Sequence, residues 1–165
     1  MNRLKRVTLI SALVLIASLL GMTAANGTDK KTQKPEDYVS TCIASLGYSV
    51  PSGFARVNKT VYKKEYGDAD IFLEIEDGKV AKAIIARDFK QLNEINGWTT
   101  PYQEFFKNQS WEHCGAGDGA HGGFDMYRES GIYARVQATV KTKGKKELAE
   151  MRVIFFKEKD SASLR

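Results

Sequence analysis

Residues 70–86 read Asp70-Ile71-Phe72-Leu73-Glu74-Ile75-Glu76-Asp77-Gly78-Lys79-Val80-Ala81-Lys82-Ala83-Ile84-Ile85-Ala86. Ile71, Leu73 and Ile75 alternate with polar or outward positions, which is the period of a half-buried strand. Asp77-Gly78 is a two-residue hairpin signal, because both turn positions need positive φ. The chain then returns from Lys79 to Ala86. In the simplest register Ile75 faces Val80, Ile71 faces Ile84 and Glu76 faces Lys79, and the last pair adds a favourable charge contact. That register puts Lys82 on the apolar face opposite Leu73, a placement the pattern does not explain.

A second segment has the same character. Ile132, Ala134, Val136, Ala138 and Val140 alternate with Tyr133, Arg135, Gln137 and Thr139. Ser130-Gly131 before it is a turn, and residues 124–129 read as its hairpin partner. The basic turn 141–146 leads to a last strand over 148–156. Upstream, residues 54–57 and 59–66 are strand-like. Helical spacing appears over 35–46, where Pro35 suits a first helical position and Val39, Cys42, Ile43 and Leu46 form an apolar stripe. Asp88 opens a short helix carrying Phe89, Leu92 and Ile95 and ended by Gly97. Thr100-Pro101 opens another, with Tyr102, Phe105 and Phe106 on one face and Trp111 near its end; aromatics at this spacing pack into a core.

These elements predict an α+β fold: an antiparallel sheet of about six strands with two or three helices on one face. The order also reads as two related halves, each a helix plus three strands. Phe54 after Ser52-Gly53 then matches Phe124 after Gly122-Gly123, and Cys42 matches Cys114.

The first 25 residues stand apart. A basic start with Arg3, Lys5 and Arg6, an apolar run from Val7 to Leu20, and small residues at Thr23, Ala24 and Ala25 have the order of a secretory signal peptide. The apolar run is shorter than the ~20 residues a membrane-spanning helix needs. The sequence therefore predicts a signal peptide over 1–25, a flexible polar leader over 26–34, a single domain over 35–165, and no membrane span after cleavage. The 25 Lys+Arg less three in the signal, against 20 Asp+Glu, leave 22 − 20 = +2. Basicity then gives little reason to expect nucleic acid as a partner. In an oxidising compartment the only two cysteines, Cys42 and Cys114, are expected to form a disulfide.

The unusual stretch is 111–125, which holds both histidines. Its glycine-rich part, 115–123, reads as a surface loop, mobile when free and ordered by a partner or ligand. His113, Asp118 and His121 are ligand-type side chains and mark a candidate metal or binding loop, although their spacing fits no established zinc pattern. The Gly-x-Gly-x-x-Gly at 117–122 follows a helix and precedes a strand, the reverse of a dinucleotide site. No nucleophile elbow, Walker motif or EF-hand loop occurs. Lys141, Lys143, Lys145 and Lys146 could touch an anionic surface.

No catalytic constellation and no cofactor signature stand out. The leading expectation is therefore an exported (periplasmic or secreted), disulfide-stapled, non-catalytic binding protein, such as an inhibitor, an immunity protein or an envelope accessory factor. Its partner would be another protein in the envelope or outside the cell. The alternatives are a metal-binding protein or metal-dependent enzyme using the His113–His121 loop, and an apolar-ligand carrier with its pocket between the sheet and the aromatic helix.

Overall fold

A computed structural model describes residues 34–90, 94–119, 122–143 and 146–158. The segments expected to be signal peptide and leader lie outside these residues, apart from Lys34. The elements run α1 (Pro35–Ser45), β1 (Ala55–Arg56), β2 (Val61–Tyr66), β3 (Ala69–Glu76), β4 (Lys79–Phe89), α2 (Asn96–Asn108), β5 (Glu112–Gly119), β6 (Gly122–Glu129), β7 (Ile132–Lys143) and β8 (Lys146–Lys157).

All eight strands form one antiparallel sheet in the order β1-β2-β3-β4-β8-β7-β6-β5. The expectation of about six strands with two or three helices is corrected to eight strands and two helices among the described residues. The expected halves of three strands become halves of four. Each half is a helix followed by a four-stranded meander, and the last strands of the two halves, β4 and β8, pair antiparallel at the centre. Their sequences suit a central position. Ile84-Ile85 and Phe155-Phe156 place buried residues on both faces of these strands.

The hairpin at Asp77-Gly78 forms, with both residues at positive φ (50° and 75°). Ile75 faces Val80 and Glu76 faces Lys79. Beyond these pairs the register shifts between Glu74 and Ile75, so Ile71 faces Ile85, Leu73 faces Ala83 and Glu74 faces Lys82. The bulge accounts for Lys82. One extra residue on β4 turns its side chain to the other face, where Nζ lies 3.7 Å from the Glu74 carboxylate. Ser130-Gly131 repeats the turn geometry, with φ of 50° and 78°.

Both helices pack on the same face. Tyr38, Val39, Cys42 and Leu46 of α1 and its C-terminal end join Tyr102 and Phe106 of α2 over Ile71, Leu73, Ile85, Val153 and Phe155. The end of α1 is clamped to the sheet: Gly47 N donates to Val80 O and Val80 N to Tyr48 O, both at 2.8 Å. Phe106 is fully buried, its ring 4.9 Å from Trp111 and 5.0 Å from Tyr127. The aromatic cluster is core, as its spacing predicts. A half-buried polar node ties the first half together. The Tyr38 hydroxyl donates to Asp68 at 2.7 Å, Arg87 Nη1 donates to the same carboxylate at 2.6 Å, and the Arg87 guanidinium lies 4.0 Å from the Trp98 ring.

Three further expectations are corrected. No short helix opens at Asp88: β4 continues to Phe89, paired with Ala149, and α2 starts at Asn96, so that Gly97 and Pro101 lie inside it. Residues 115–119 are not a loop but most of edge strand β5, paired to β6 as far as Gly119↔Gly122. The turn expected over 141–146 is shorter, with β7 running to Lys143 and β8 starting at Lys146.

The expected disulfide is absent; both cysteines are free. Cys42 is buried on α1, which packs on β4, whereas Cys114 is exposed on β5. Four strand spacings separate β4 from β5, about 19 Å at ~4.8 Å each, far beyond disulfide reach. The proposed equivalence of the two cysteines fails for the same reason. One precedes its meander on a helix, and the other lies in the first strand of its meander. Phe54 and Phe124 are likewise not equivalent, since one precedes β1 and the other lies within β6.

Candidate functional site

Two places concentrate side chains that the core does not consume. The first lies where α2 meets β5, β6 and β7. A cleft of about 450 Å³ opens there, lined by Asn96, Thr99, Gln103, Asp118, Asp125 and Val136 among others. Gln103 Nε2 donates to Asp125 Oδ2 at 2.6 Å, and His113 Nε2 lies 3.1 Å from Asp125 Oδ1. The His113 ring also meets Tyr127 edge-on at 5.2 Å. Of the residues in the 111–125 stretch, His113 therefore pairs with Asp125. Asp118 lies five residues along the same strand, about 16 Å of extended chain, with its carboxylate over Gly123. His121 lies outside the described residues. Among the described residues no three His, Cys, Asp or Glu side chains group as metal ligands would. The side chains of Lys141, Lys143 and Lys146, and all of Lys145, also lie outside what the structure describes.

The glycines of β5 and β6 make room for neighbours. A Cβ on Gly117 would meet the Phe124 ring at 2.7 Å, and one on Gly123 would meet Asp118 Oδ1 at 2.6 Å. Phe124 thus lies across the bare backbone of its cross-strand partner Gly117, an aromatic covering an edge glycine.

The second place is the face of the sheet opposite the helices. Strand alternation puts Phe72, Ile84, Ile154, Arg135 and Met126 there in one cross-strand row, since these residues are successive partners from β3 to β6. Phe156 and Tyr133 form the next row and stack at 5.3 Å with their rings 6° apart. Phe156 is 1 % and Ile84 8 % exposed, yet neither belongs to the core under the helices. Among the described residues no element covers this face.

Its charges are mostly neutralised within the face. Lys63 pairs with Asp70 at 3.0 Å, Lys82 with Glu74 at 3.7 Å, Arg128 with Glu112 at 2.7 Å and Arg152 with Glu150 at 2.9 Å. Arg135 differs. Its guanidinium lies 4.0 Å from the Phe124 ring, its Nε is buried without a hydrogen-bond partner, and no ion pair is found for it among the described residues. Burial alone pulls its pKa below the usual guanidinium value, and it remains charged at neutral pH. In sequence Arg135 is one polar position of an alternating strand. Its lack of an acidic neighbour depends on residues from other strands and has no local signal.

No protein-family model matches the chain, and no curated protein matches it significantly.

Proposed function

We propose that this chain is an exported, non-catalytic binding protein, periplasmic or secreted, that holds another protein on the helix-free face of its sheet. The observation that carries this reading is the partly exposed row Phe72, Ile154 and Met126 around unpaired Arg135, seated on buried Ile84 and Phe156, on a face that no described element covers. Aromatic residues, methionine and arginine are the types enriched where proteins meet. The space beneath the aromatic helix is filled by its own side chains, with Tyr102 1 % and Phe106 0 % exposed, which supports a binding surface over an enclosed apolar-ligand cavity. Export rests on the composition of residues 1–25.

Site-specific photo-crosslinking in the producing cell tests the reading. A photoreactive residue at Ile154 is expected to give a discrete cross-linked protein, and one at exposed Glu104 on the helix side is expected to give none. Products from position 104 alone would overturn it. N-terminal sequencing of the exported protein is expected to show a start near Asn26. Stoichiometric zinc binding by the mature chain in calorimetry would instead promote a metal site involving His113, Asp118 and His121.

A further inference from the structure

We propose that Arg135 is the anchor of this face and that its ligand is a single carboxylate, an Asp or Glu side chain of the partner protein flanked by apolar residues. The inference rests on the helix-free face being the binding surface and adds the chemistry that this surface selects.

The cations that flank the row already have acids. Lys63, Lys82, Arg128 and Arg152 are held by Asp70, Glu74, Glu112 and Glu150. Arg135 sits near the middle of the row, between Met126 on β6 and Ile154 on β8. Its plane rests near the Phe124 ring, and its Nε has lost water without gaining a protein acceptor. A half-buried guanidinium of this kind is set up for a planar acceptor, because a carboxylate receives two parallel N–H bonds from it. The apolar walls would exclude water around such a pair and strengthen it. A polyanion such as nucleic acid or a charged lipid surface is a poorer fit. It would need several unneutralised cations in reach, whereas the described cations beside Arg135 on this face are paired and unpaired Lys79 lies at the far turn, five residues along β4 from Ile84.

The test is selection of a phage-displayed random peptide library on the immobilised mature protein, followed by affinity measurement of the enriched peptides. The expected peptides carry Asp or Glu beside aliphatic or aromatic residues. Arg135→Gln is expected to weaken them by about tenfold or more, as loss of a charge-assisted pair does. Changing the peptide Asp to Asn should have the same effect, whereas Lys63→Gln should change little. Thermal melts of Arg135→Gln and Arg135→Lys check that the fold survives. The lysine variant, which keeps charge without the fork, should recover only part of the affinity. Binding abolished by Ile154→Asp but unchanged by Arg135→Gln would overturn the carboxylate anchor and leave the face as the binding surface. Binders indifferent to both variants would overturn both readings. A library that returns no acidic binder overturns the anchor.

Discussion

Replacing glycine by alanine at four places in the hairpin β5–β6 separates a packed hairpin from a mobile glycine-rich loop. At Gly115 a Cβ would meet nothing within 4 Å. Alanine there should be neutral or stabilise by up to ~1 kcal/mol through the unfolded chain. At Gly123 the obstacle is the end of the exposed Asp118 side chain, which can swing into water, so the cost should stay below ~1 kcal/mol. At Gly117 the Phe124 ring, packed against Arg135, must shift to admit the Cβ, an overpacking cost of ~1–3 kcal/mol. Gly122 is the severe case. Its φ of 136° is a region that residues with a Cβ rarely adopt, and a Cβ would run into the Ala138 carbonyl oxygen, with Thr139 Cα at 3.0 Å. That backbone belongs to β7, held on both sides by β6 and β8, and cannot yield without breaking ladder pairs. Strain and overpacking together should cost about 3–5 kcal/mol. Urea unfolding monitored by tryptophan fluorescence measures all four. A lowered m-value for Gly122→Ala would mark a hairpin that has detached from the edge of the sheet. Four equal, small effects would refute the packed hairpin and restore the mobile loop.

Three further outcomes follow from the structure. A thiol reagent should modify one cysteine, Cys114, in the native protein and reach the fully buried Cys42 only on unfolding, and Cys114→Ser should shift stability by less than ~0.5 kcal/mol, where loss of a 42–114 disulfide would cost ~4 kcal/mol. Asp68→Ala removes the acceptor of both Tyr38 and Arg87, and because the pair is only half-buried the loss in urea unfolding should be about 1–3 kcal/mol, with Asp68→Asn milder through retention of the Tyr38 bond. Burial raises the Glu129 carboxyl above its usual range; the folded state then holds its proton more tightly than the unfolded chain, so this contribution to stability is present below the unfolded pKa and lost as pH rises through the folded one. Glu129→Gln should therefore be the more stable protein at pH 7, by less than ~1 kcal/mol, with the gap closing below about pH 4 in melts across pH.

The hairpin at Asp77-Gly78 was legible because its turn chemistry is local: two adjacent residues set the positive φ values and hence the pairing next to them. The bulge was not, although its trace was present. Lys82 misfit the simple register because the register was wrong beyond Ile75, and an unexplained charge on an apolar face was the signal to look for an extra residue. The stretch 115–119 was misread because glycine content argues against a strand, whereas here the missing side chains are what Phe124 and Asp118 occupy. Asp88 resembled a helix cap, but pairing of Phe89 with Ala149, sixty residues away, keeps the chain extended. The cysteine expectation came from compartment and number, and neither contains geometry. Of the candidate site, the stretch holding His113 and Asp125 was legible but their pairing was not, because it depends on the β5–β6 register across a second bulge.

The join of β4 to β8 decides which surface the fold leaves free. Two halves of equal topology whose last strands pair antiparallel are related by an axis normal to the sheet, and such an axis keeps each helix on the same side. One face therefore receives both helices, and the other continues unbroken from β2 to β6. The row from Phe72 to Met126 crosses the join, so it exists only when both halves are folded and paired. Its central residue Ile154, seated between buried Ile84 and Phe156, stands on a strand whose opposite side is core. It is held by ladders on both flanks and has little rotamer freedom left to lose. Binding on such a surface demands little ordering of its own side chains. Arg135 shares this rigidity. The Phe124 ring fixes its plane, the bare backbone of Gly117 gives that ring its place, and the strand-to-strand register sets where a carboxylate would have to arrive.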